Sequence, residues 1–194
     1  RHLPPSKAYQ AVEEIVSEAV RLNIPYIYKK TDSALRGNIG AELSAALSAS
    51  GRRHLSFLPA FPQMGRTTVL GTHYIKGIPV SQSVFGKDLF DPVRHSKVND
   101  IITEQSDILV QLYPPFKGED YLSEESGILV FDTETVEDLK STARYLHKKG
   151  KLHIMAGCAG FASVLPEILN LCSDTKAPNK QEHGLGLPLL VVSG

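Results

Sequence analysis

The stretch Lys-Lys-Thr-Asp-Ser-Ala-Leu-Arg-Gly-Asn at residues 29–38 joins an apolar run that ends at Tyr28 to a helix-like run that begins near Ile39. A loop between a parallel strand and a helix leaves the carboxyl end of the strand, where it presents free backbone N–H groups and the positive end of a helix dipole. Such a loop suits an anionic ligand. We expect the rest of the chain to be arranged around it.

The side chains of this stretch favour a pocket. Lys30 and Arg36 add positive charge, while Asp32 and Ser33 carry oxygens that bind hydroxyl groups. Together they predict a site for a small polyhydroxy acid or a phosphate. The alternative is ordinary loop chemistry, in which the polar residues serve as turn and cap residues and Arg36 pairs with Asp32. The residue types leave both interpretations open.

Composition limits the possible partners. The chain has 194 residues, 42% of them hydrophobic, which is enough for one sizeable domain or for one domain with part of another. Its 21 basic residues balance its 21 acidic residues. Because no broad electrostatic field results, we expect no nucleic-acid or membrane partner. Any anion binding must be local.

The chain has two cysteines, Cys158 and Cys172, which are far from any metal-binding spacing, so no metal site is predicted. No apolar run reaches the length of a membrane span, and no signal-peptide pattern opens the chain. These features predict a cytoplasmic, reducing setting. Because the first residue is Arg and the last residues form an apolar run, we expect an excerpt of a longer polypeptide.

Apolar periodicity predicts helices that alternate with short strands. The pattern indicates an α/β fold, a three-layer sandwich with a mostly parallel sheet. Thr135 and Asp138 predict a capping box, Gly51 a helix C-cap, and Ser6 and Ser96 helix N-caps. The predicted helices cover residues 7–22, 39–50, 96–105, 135–150 and 161–172, and the strands cover residues 25–28, 55–58, 108–112, 128–131 and 152–155.

Two segments interrupt this alternation. Residues 59–68 contain two prolines and a glycine and place Arg66 on a loop. Residues 69–80 predict a β-hairpin insertion, a flap able to fold over the site. Its His73 is a weak candidate, because single histidines in hairpins are mostly structural.

A turn of small residues follows the last predicted strand of the main sheet. Gly157, Cys158 and Gly160 allow close approach to a ligand, or merely close packing of a helix on the sheet. Cys158 is a candidate for an activated thiol at a helix N-terminus, but no partner base lies near it in sequence.

Residues 29–43 resemble the signature of the four-carbon acid sugar kinase family, K-x-D-S-T-L-R-G-N-x-G-x-E, with Ala34 in place of the usual Thr. The resemblance extends over most of residues 1–170. Residues 59–66 together with 71–80 are similar to the family segment P-A-F-P-x-x-G-R…G…G-x-P-V. Asp88, Pro92 and Ser96 match a further stretch, and residues 157–160 match a later turn in which Cys158 replaces Ser.

This resemblance implies a cytosolic ATP-dependent kinase that phosphorylates the terminal hydroxyl of threonate, erythronate or an oxo-tetronate. In that family an N-terminal α/β domain holds the sugar acid and a C-terminal domain holds the nucleotide. The substrate-binding residues that it implies are Arg1, Lys30, Thr31, Asp32, Ser33, Arg36, Gly37 and Arg66, with Gly157, Cys158 and Gly160 as an interface or ligand turn.

The resemblance also implies a division of the chain. Residues 1–172 would form the sugar-acid-binding domain, without the acidic segment that normally opens it. Residues 173–186 would form a linker, and residues 187–194 the first strand of a second α/β domain that binds the nucleotide. ATP and Mg²⁺ are expected to bind mainly outside this piece, so we expect it to be inactive alone.

The expected partner is a small-molecule sugar acid, and a second copy of the chain, forming a homodimer, is a further candidate. The competing hypothesis is a non-catalytic, small-anion-binding or regulatory α/β module. A thiol-dependent enzyme that uses Cys158 is a third.

Overall fold

A computed structural model describes residues 2–116 and 122–171, together with the backbone of residues 189–193. Arg1 and the linker expected over residues 173–186 lie outside the described residues. The helices are α1 (Pro5–Arg21), α2 (Ile39–Ser50), α3 (Val98–Thr103), α4 (Val136–Lys148), α5 (Ala159–Ala162) and α6 (Leu165–Ile168). The strands are β1 (Tyr26–Lys30), β2 (His54–Leu58), β3 (Arg66–Val69), β4 (Thr72–Ile75), β5 (Ile78–Pro79), β6 (Val110–Tyr113), β7 (Gly127–Phe131), β8 (Ile154–Gly157) and β9 (Leu189–Ser193).

Six of these strands form one parallel sheet in the order β6-β7-β2-β8-β1-β9. Strands β1 and β8 are neighbours, and Lys30 is paired with Gly157 at their carboxyl ends. The loops that leave these two strands therefore emerge side by side. This is the edge at which parallel α/β sheets bind ligands.

Helices cover both faces of this sheet, so the predicted three-layer α/β sandwich is confirmed. Consecutive residues of a strand point to opposite faces, and each face has its own buried core. Ile27 packs into the core under α1, α2 and α3, and Tyr28 packs into the core under α4, α5 and α6. The alternation fixes which side chains of β1 face α2.

The predicted hairpin insertion is confirmed as a small antiparallel sheet of β3, β4 and β5. It is not a free flap. Thr68 and Thr133 exchange backbone hydrogen bonds of 2.9 and 2.8 Å, and His73 N donates to the carbonyl of Ser96 at 2.8 Å. Leu70 and Gly71 donate their N–H groups to the Asp132 carboxylate at 2.7 and 2.9 Å.

Local signals were correct for some helix ends and wrong for others. Gly51 ends α2 in the left-handed conformation, and the capping box of Thr135 and Asp138 is present. The N-caps predicted at Ser6 and Ser96 are wrong: α1 begins after Pro4 and α3 after Lys97, without side-chain caps. Instead, the Ser96 hydroxyl lies 2.7 Å from that of Ser81.

One helix was predicted over residues 161–172, but two short helices, α5 and α6, are present, because Pro166 lies in the first turn of a new helix rather than inside a longer one. None of the helices in the described ranges combines the length and apolar character needed to cross a bilayer.

The strand expected over the last residues is present as β9, but it pairs in parallel with β1 within the main sheet. We expected this strand to open a second domain. The boundary predicted between residues 1–172 and a second domain from residue 187 is not tested by this pairing and stays a prediction.

Candidate functional site

The loop at residues 31–38, here called the polar loop, is closed by an ion pair between Asp32 and Arg36. Arg36 Nε and Nη2 donate to the two Asp32 oxygens at 2.8 and 3.0 Å. The N–H groups of Ala34 and Arg36 also donate to Asp32 Oδ2, each at 3.3 Å. Leu35 makes this closure possible with a φ of 60°, which non-glycine residues rarely adopt. The arginine is thus folded back over its own loop.

A second segment holds the other side of the guanidinium. Asp88 Oδ2 accepts from Arg36 Nη1 at 3.1 Å, and the Phe85 ring lies 4.9 Å from the guanidinium carbon. Asp88 is itself fixed, because its Oδ1 accepts from the N–H groups of Phe90 and Asp91, both at 3.0 Å. Arg36 is therefore held by a local carboxylate, a distant carboxylate and an aromatic face.

This arrangement keeps all three charged groups ionised. Backbone N–H groups of Asp91 and Phe90, with Arg36, lower the pKa of Asp88 to about 2. Burial alone would raise the pKa of Asp32, but hydrogen bonds and charge from Arg36 outweigh it and lower that pKa. The hydrogen bonds to Asp32 raise the pKa of Arg36 despite its partial burial.

Arg36 still has hydrogen-bonding capacity. A guanidinium has five N–H groups. Three of them donate to Asp32 and Asp88, which leaves two without a partner among the described residues. The side chain is 21% exposed.

A cavity of about 210 Å³ adjoins this arginine. Its wall includes Arg36, Gly37 and Asn38, the last residues before α2. The other lining residues are His2, Leu3, Leu35, the segment 90–94, Ile101, Glu104 and Gln105. The cavity also holds a second arginine, Arg94, whose Nη1 lies 3.0 Å from Glu104 Oε1. Its size suits a small molecule rather than a drug-sized one.

The predicted free N–H groups of the α2 terminus are partly used. Gln105 Oε1 accepts from Ala41 N at 3.3 Å, and Gln105 Nε2 donates to the Gly37 carbonyl at 3.3 Å. A side chain from beyond α3 thus caps α2. Side-chain donors are left to supply much of the hydrogen bonding to any ligand in the cavity.

Lys30 does not converge with Arg36 on this cavity. In β1 it shares a face with Tyr28, opposite α2, and its Nζ donates to the Thr31 carbonyl at 2.9 Å. Lys29 is the lysine that faces α2. Its Nζ lies 2.5 Å from Glu42 Oε2, and both side chains are buried. Both lysines belong to the motif, but residue type alone does not show that Lys29 pairs with Glu42 inside the protein.

The other predicted residues are distributed around the polar loop. Thr31 is buried, and its Oγ1 has no hydrogen-bond partner among the described residues. Ser33 offers its carbonyl to His73 Nε2 at 3.0 Å. Arg66 Nη1 donates to the Met64 carbonyl within its own segment. None of these three side chains lines the cavity.

The small-residue turn at residues 157–160 is a packing feature. Cys158 is fully buried, its thiol donates to the carbonyls of Pro59 and Ala60 at 3.2 and 3.3 Å, and burial raises the pKa of the thiol. A Cβ on Gly160 would lie 2.5 Å from the Ala60 carbonyl oxygen. A buried thiol with a raised pKa is a poor nucleophile, which argues against the thiol-enzyme hypothesis.

Asp88 and Phe85 are site residues that sequence analysis missed. Asp88 was noted only as part of the family resemblance, because a residue 52 positions from Arg36 cannot be paired with it from spacing. Phe85 belongs to no motif that the sequence offers. The signal that could have identified Asp88 was its match to an acidic position of the family's sequence.

Within the described ranges, no group of three or more histidine, cysteine or acidic side chains is placed to hold a metal ion. The two acids nearest the cavity's arginine, Asp32 and Asp88, are both engaged with it. These residues do not fit a Mg²⁺–nucleotide site, so no chemical step through such a group is assigned to them.

Comparison with known proteins identifies relatives along the whole chain. A family model described as a sugar-binding N-terminal domain matches residues 1–165. The chain is 32% identical over 206 aligned positions to a D-threonate kinase of Salmonella typhimurium, covering 100% of the chain and 46% of that protein. It is 33% identical to a D-erythronate kinase of Heliobacterium modesticaldum, covering 77% of the chain and 37% of that protein.

A solved structure supports the same grouping. A domain of unknown function from Bordetella bronchiseptica, crystallised with bound citrate as a domain-swapped dimer, matches with a TM-score of 0.74 and 25% identity. The match covers 87% of the chain and 42% of that protein. The chain therefore spans less than half the length of each of these relatives. It belongs to the family of sugar-binding N-terminal domains.

Proposed function

We propose that this chain is the sugar-acid-binding part of an ATP-dependent kinase that phosphorylates the terminal hydroxyl of a four-carbon sugar acid. The observation that carries the proposal is the fixed cluster of Arg36, Asp32 and Asp88 beside the cavity. Supporting it are relatives named D-threonate and D-erythronate kinase, and the citrate bound to a structural neighbour.

The cluster fits a polyhydroxy acid better than a simple anion. Its two carboxylates outnumber its one guanidinium, so it has no net positive charge to attract an anion. The two remaining N–H groups of Arg36 suit a ligand carboxylate in a planar contact. Asp32 and Asp88 hold the guanidinium but do not line the cavity, whereas the Glu104 carboxylate does line it and can accept hydrogen bonds from ligand hydroxyl groups. A sugar acid offers both kinds of group.

In this proposal the domain binds and orients the acid. Phosphoryl transfer depends on positioning and on cations around the phosphates, and these are expected from the part of the relatives that this chain does not cover. ATP would supply the phosphoryl group and Mg²⁺ would neutralise it there. The cytoplasm remains the expected location, and a homodimer, as in the swapped neighbour, a candidate assembly.

Calorimetric titration of the protein with D-threonate and D-erythronate tests the proposal. Arg36→Ala should weaken binding by about 2 kcal/mol, the scale of a hydrogen bond to a charged group. Arg36→Lys should have an intermediate effect, because it keeps the charge but loses the fork. The control is Arg144→Ala, which removes an exposed arginine of α4 paired with Glu137 and Glu167.

An assay of ADP formation by the complete polypeptide, with each acid, ATP and Mg²⁺, distinguishes the kinase from the non-catalytic module. Acid-dependent ADP formation supports the kinase. Binding without turnover by the complete polypeptide supports the non-catalytic, anion-binding module instead. If wild-type protein binds neither acid, or if Arg36→Ala binds as wild type does, the proposed site is wrong.

A further inference from the structure

His73 of β4 is fully buried and connects the hairpin sheet to the polar loop. Its Nε2 lies 3.0 Å from the Ser33 carbonyl oxygen, and its Nδ1 lies 3.1 Å from Thr68 Oγ1. Both ring nitrogens therefore have partners: Nδ1 pairs with a residue of the hairpin sheet, and Nε2 pairs with a residue of the polar loop.

The partners fix the protonation state of the ring. A carbonyl only accepts, so Nε2 must carry a proton and donate it to Ser33. Burial lowers the pKa of His73 to about 4, so the ring is neutral at pH 7 and Nδ1 accepts from the Thr68 hydroxyl. One tautomer satisfies both contacts.

The peptide unit between Ser33 and Ala34 extends this contact to the ligand-facing cluster. Its C=O group accepts from His73, and its N–H group donates to Asp32 Oδ2 at 3.3 Å. Asp32 in turn holds Arg36 through two hydrogen bonds. The order of contacts is His73, the peptide, Asp32 and Arg36.

The hairpin is a firm base for such a chain of contacts. It is tied to the residues after β7 by the Thr68–Thr133 backbone pair and by the Asp132 carboxylate, and to segment 96–98 through His73 N. An element held at both ends can fix the orientation of a peptide in the neighbouring loop.

We propose that His73 is a positioning residue for the sugar-acid site: by holding the peptide between Ser33 and Ala34, it sets the orientation of Asp32 and hence of Arg36. The proposal rests on the proposed function, since the ligand is the sugar acid assigned there. His73 itself does not contact the ligand.

Two substitutions separate the two ring contacts. The amide of Gln reaches about as far as Nε2, so His73→Gln keeps a donor for Ser33. The shorter Asn reaches about as far as Nδ1, so His73→Asn keeps a partner for Thr68 only. Thr68→Val is the matched control, because it removes the Nδ1 partner and leaves the Ser33 contact in place.

We expect His73→Asn to weaken D-threonate or D-erythronate binding about tenfold or more, the change that one lost hydrogen bond gives. His73→Gln and Thr68→Val should stay within about threefold of wild type. All three should lower the melting temperature, since each leaves one buried polar group unpaired. If His73 had only a structural role, the losses of affinity in the three variants would instead be proportional to their losses of melting temperature.

Amide hydrogen exchange without ligand tests the same idea independently of binding. The N–H groups of Ala34 and Arg36 should exchange faster in His73→Asn than in His73→Gln. If the exchange differs as expected but no acid binds, the proposed function fails and the positioning role stands. Equal exchange and equal affinity in the two variants overturn the positioning role. Should His73→Asn not fold, the smaller His73→Ser takes its place.

Discussion

The polar loop and the small-residue turn leave adjacent strands of one sheet, yet they do different work. They even touch, because Thr31 N donates to the Gly157 carbonyl at 2.8 Å. In the polar loop, Arg36 is held at the surface beside a cavity. In the turn, Cys158 and Gly160 pack against the backbone of residues 59–61.

The difference teaches how far a shared position predicts function. Both segments lie at the carboxyl edge of a parallel sheet, where ligands bind in such folds. Position alone therefore does not distinguish them. What distinguishes them is whether a third element packs on the turn: the segment after β2 covers residues 157–160, and it leaves the cavity beside Arg36 open.

The largest expected effect concerns the strand that carries the polar loop. Lys29→Met should destabilise the protein by about 3–5 kcal/mol, because it leaves the buried Glu42 carboxylate without its cation. Denaturant unfolding measures this change. The exposed pair of Arg21 and Glu18 is the matched control, and Arg21→Ala should cost less than about 1 kcal/mol.

The double variant Lys29→Met with Glu42→Leu should recover most of that stability, since neither charge is then buried. A small effect of Lys29→Met alone would mean that the pair is not buried in solution. The strand that leads into the polar loop would then not be anchored to α2 by a buried ion pair.

The next effect tests the packing of the turn. Gly160→Ala should destabilise the protein by about 1–3 kcal/mol, the usual cost of overpacking, because its Cβ would press on the backbone of Ala60 and Phe61. Thermal unfolding with Ala159→Ser as the control checks it, since the exposed Ala159 should tolerate the change. Stability unchanged by the Gly160 substitution would show that the turn is open and available to a ligand.

The smallest effect is expected for Cys158→Ser. The hydroxyl can donate to the same carbonyls as the thiol, so stability should change by no more than about 1.5 kcal/mol, the net contribution of one hydrogen bond. Affinity for the sugar acid should stay as in wild type, as calorimetry would show. A marked loss of affinity would indicate that the turn also contributes to the binding site, so the polar loop and the turn would not differ in function.

The sequence predicted the layers well because they depend on local patterns. Alternating strands and helices, the capping box at Thr135 and the left-handed Gly51 are all short-range signals. Ser6 and Ser96 failed as caps because such a signal is only a preference, and in the fold the Ser96 hydroxyl pairs with Ser81. The last predicted helix of the domain was expected to be continuous, but Pro166 lies in the first turn of a separate helix.

The candidate site was predictable only in part. Arg36 was identified from the motif, and its pairing with Asp32 was one of the two interpretations left open. Lys30 was expected to converge with Arg36, but strand alternation directs it to the other face. Asp88 and His73 reach the loop from 52 and 40 residues away, and no local pattern encodes such contacts.

The three-sided clamp on Arg36 has a consequence for the thermodynamics of binding. A free arginine loses much rotamer freedom when a ligand immobilises it, at a cost of about 0.5–1.5 kcal/mol. Here Asp32, Asp88 and the ring of Phe85 already restrict the Arg36 rotamer in the folded protein, so binding would remove little further freedom. If the proposed acid binds here, it would meet a preorganised guanidinium, and more of the free energy of each new hydrogen bond would be retained as affinity.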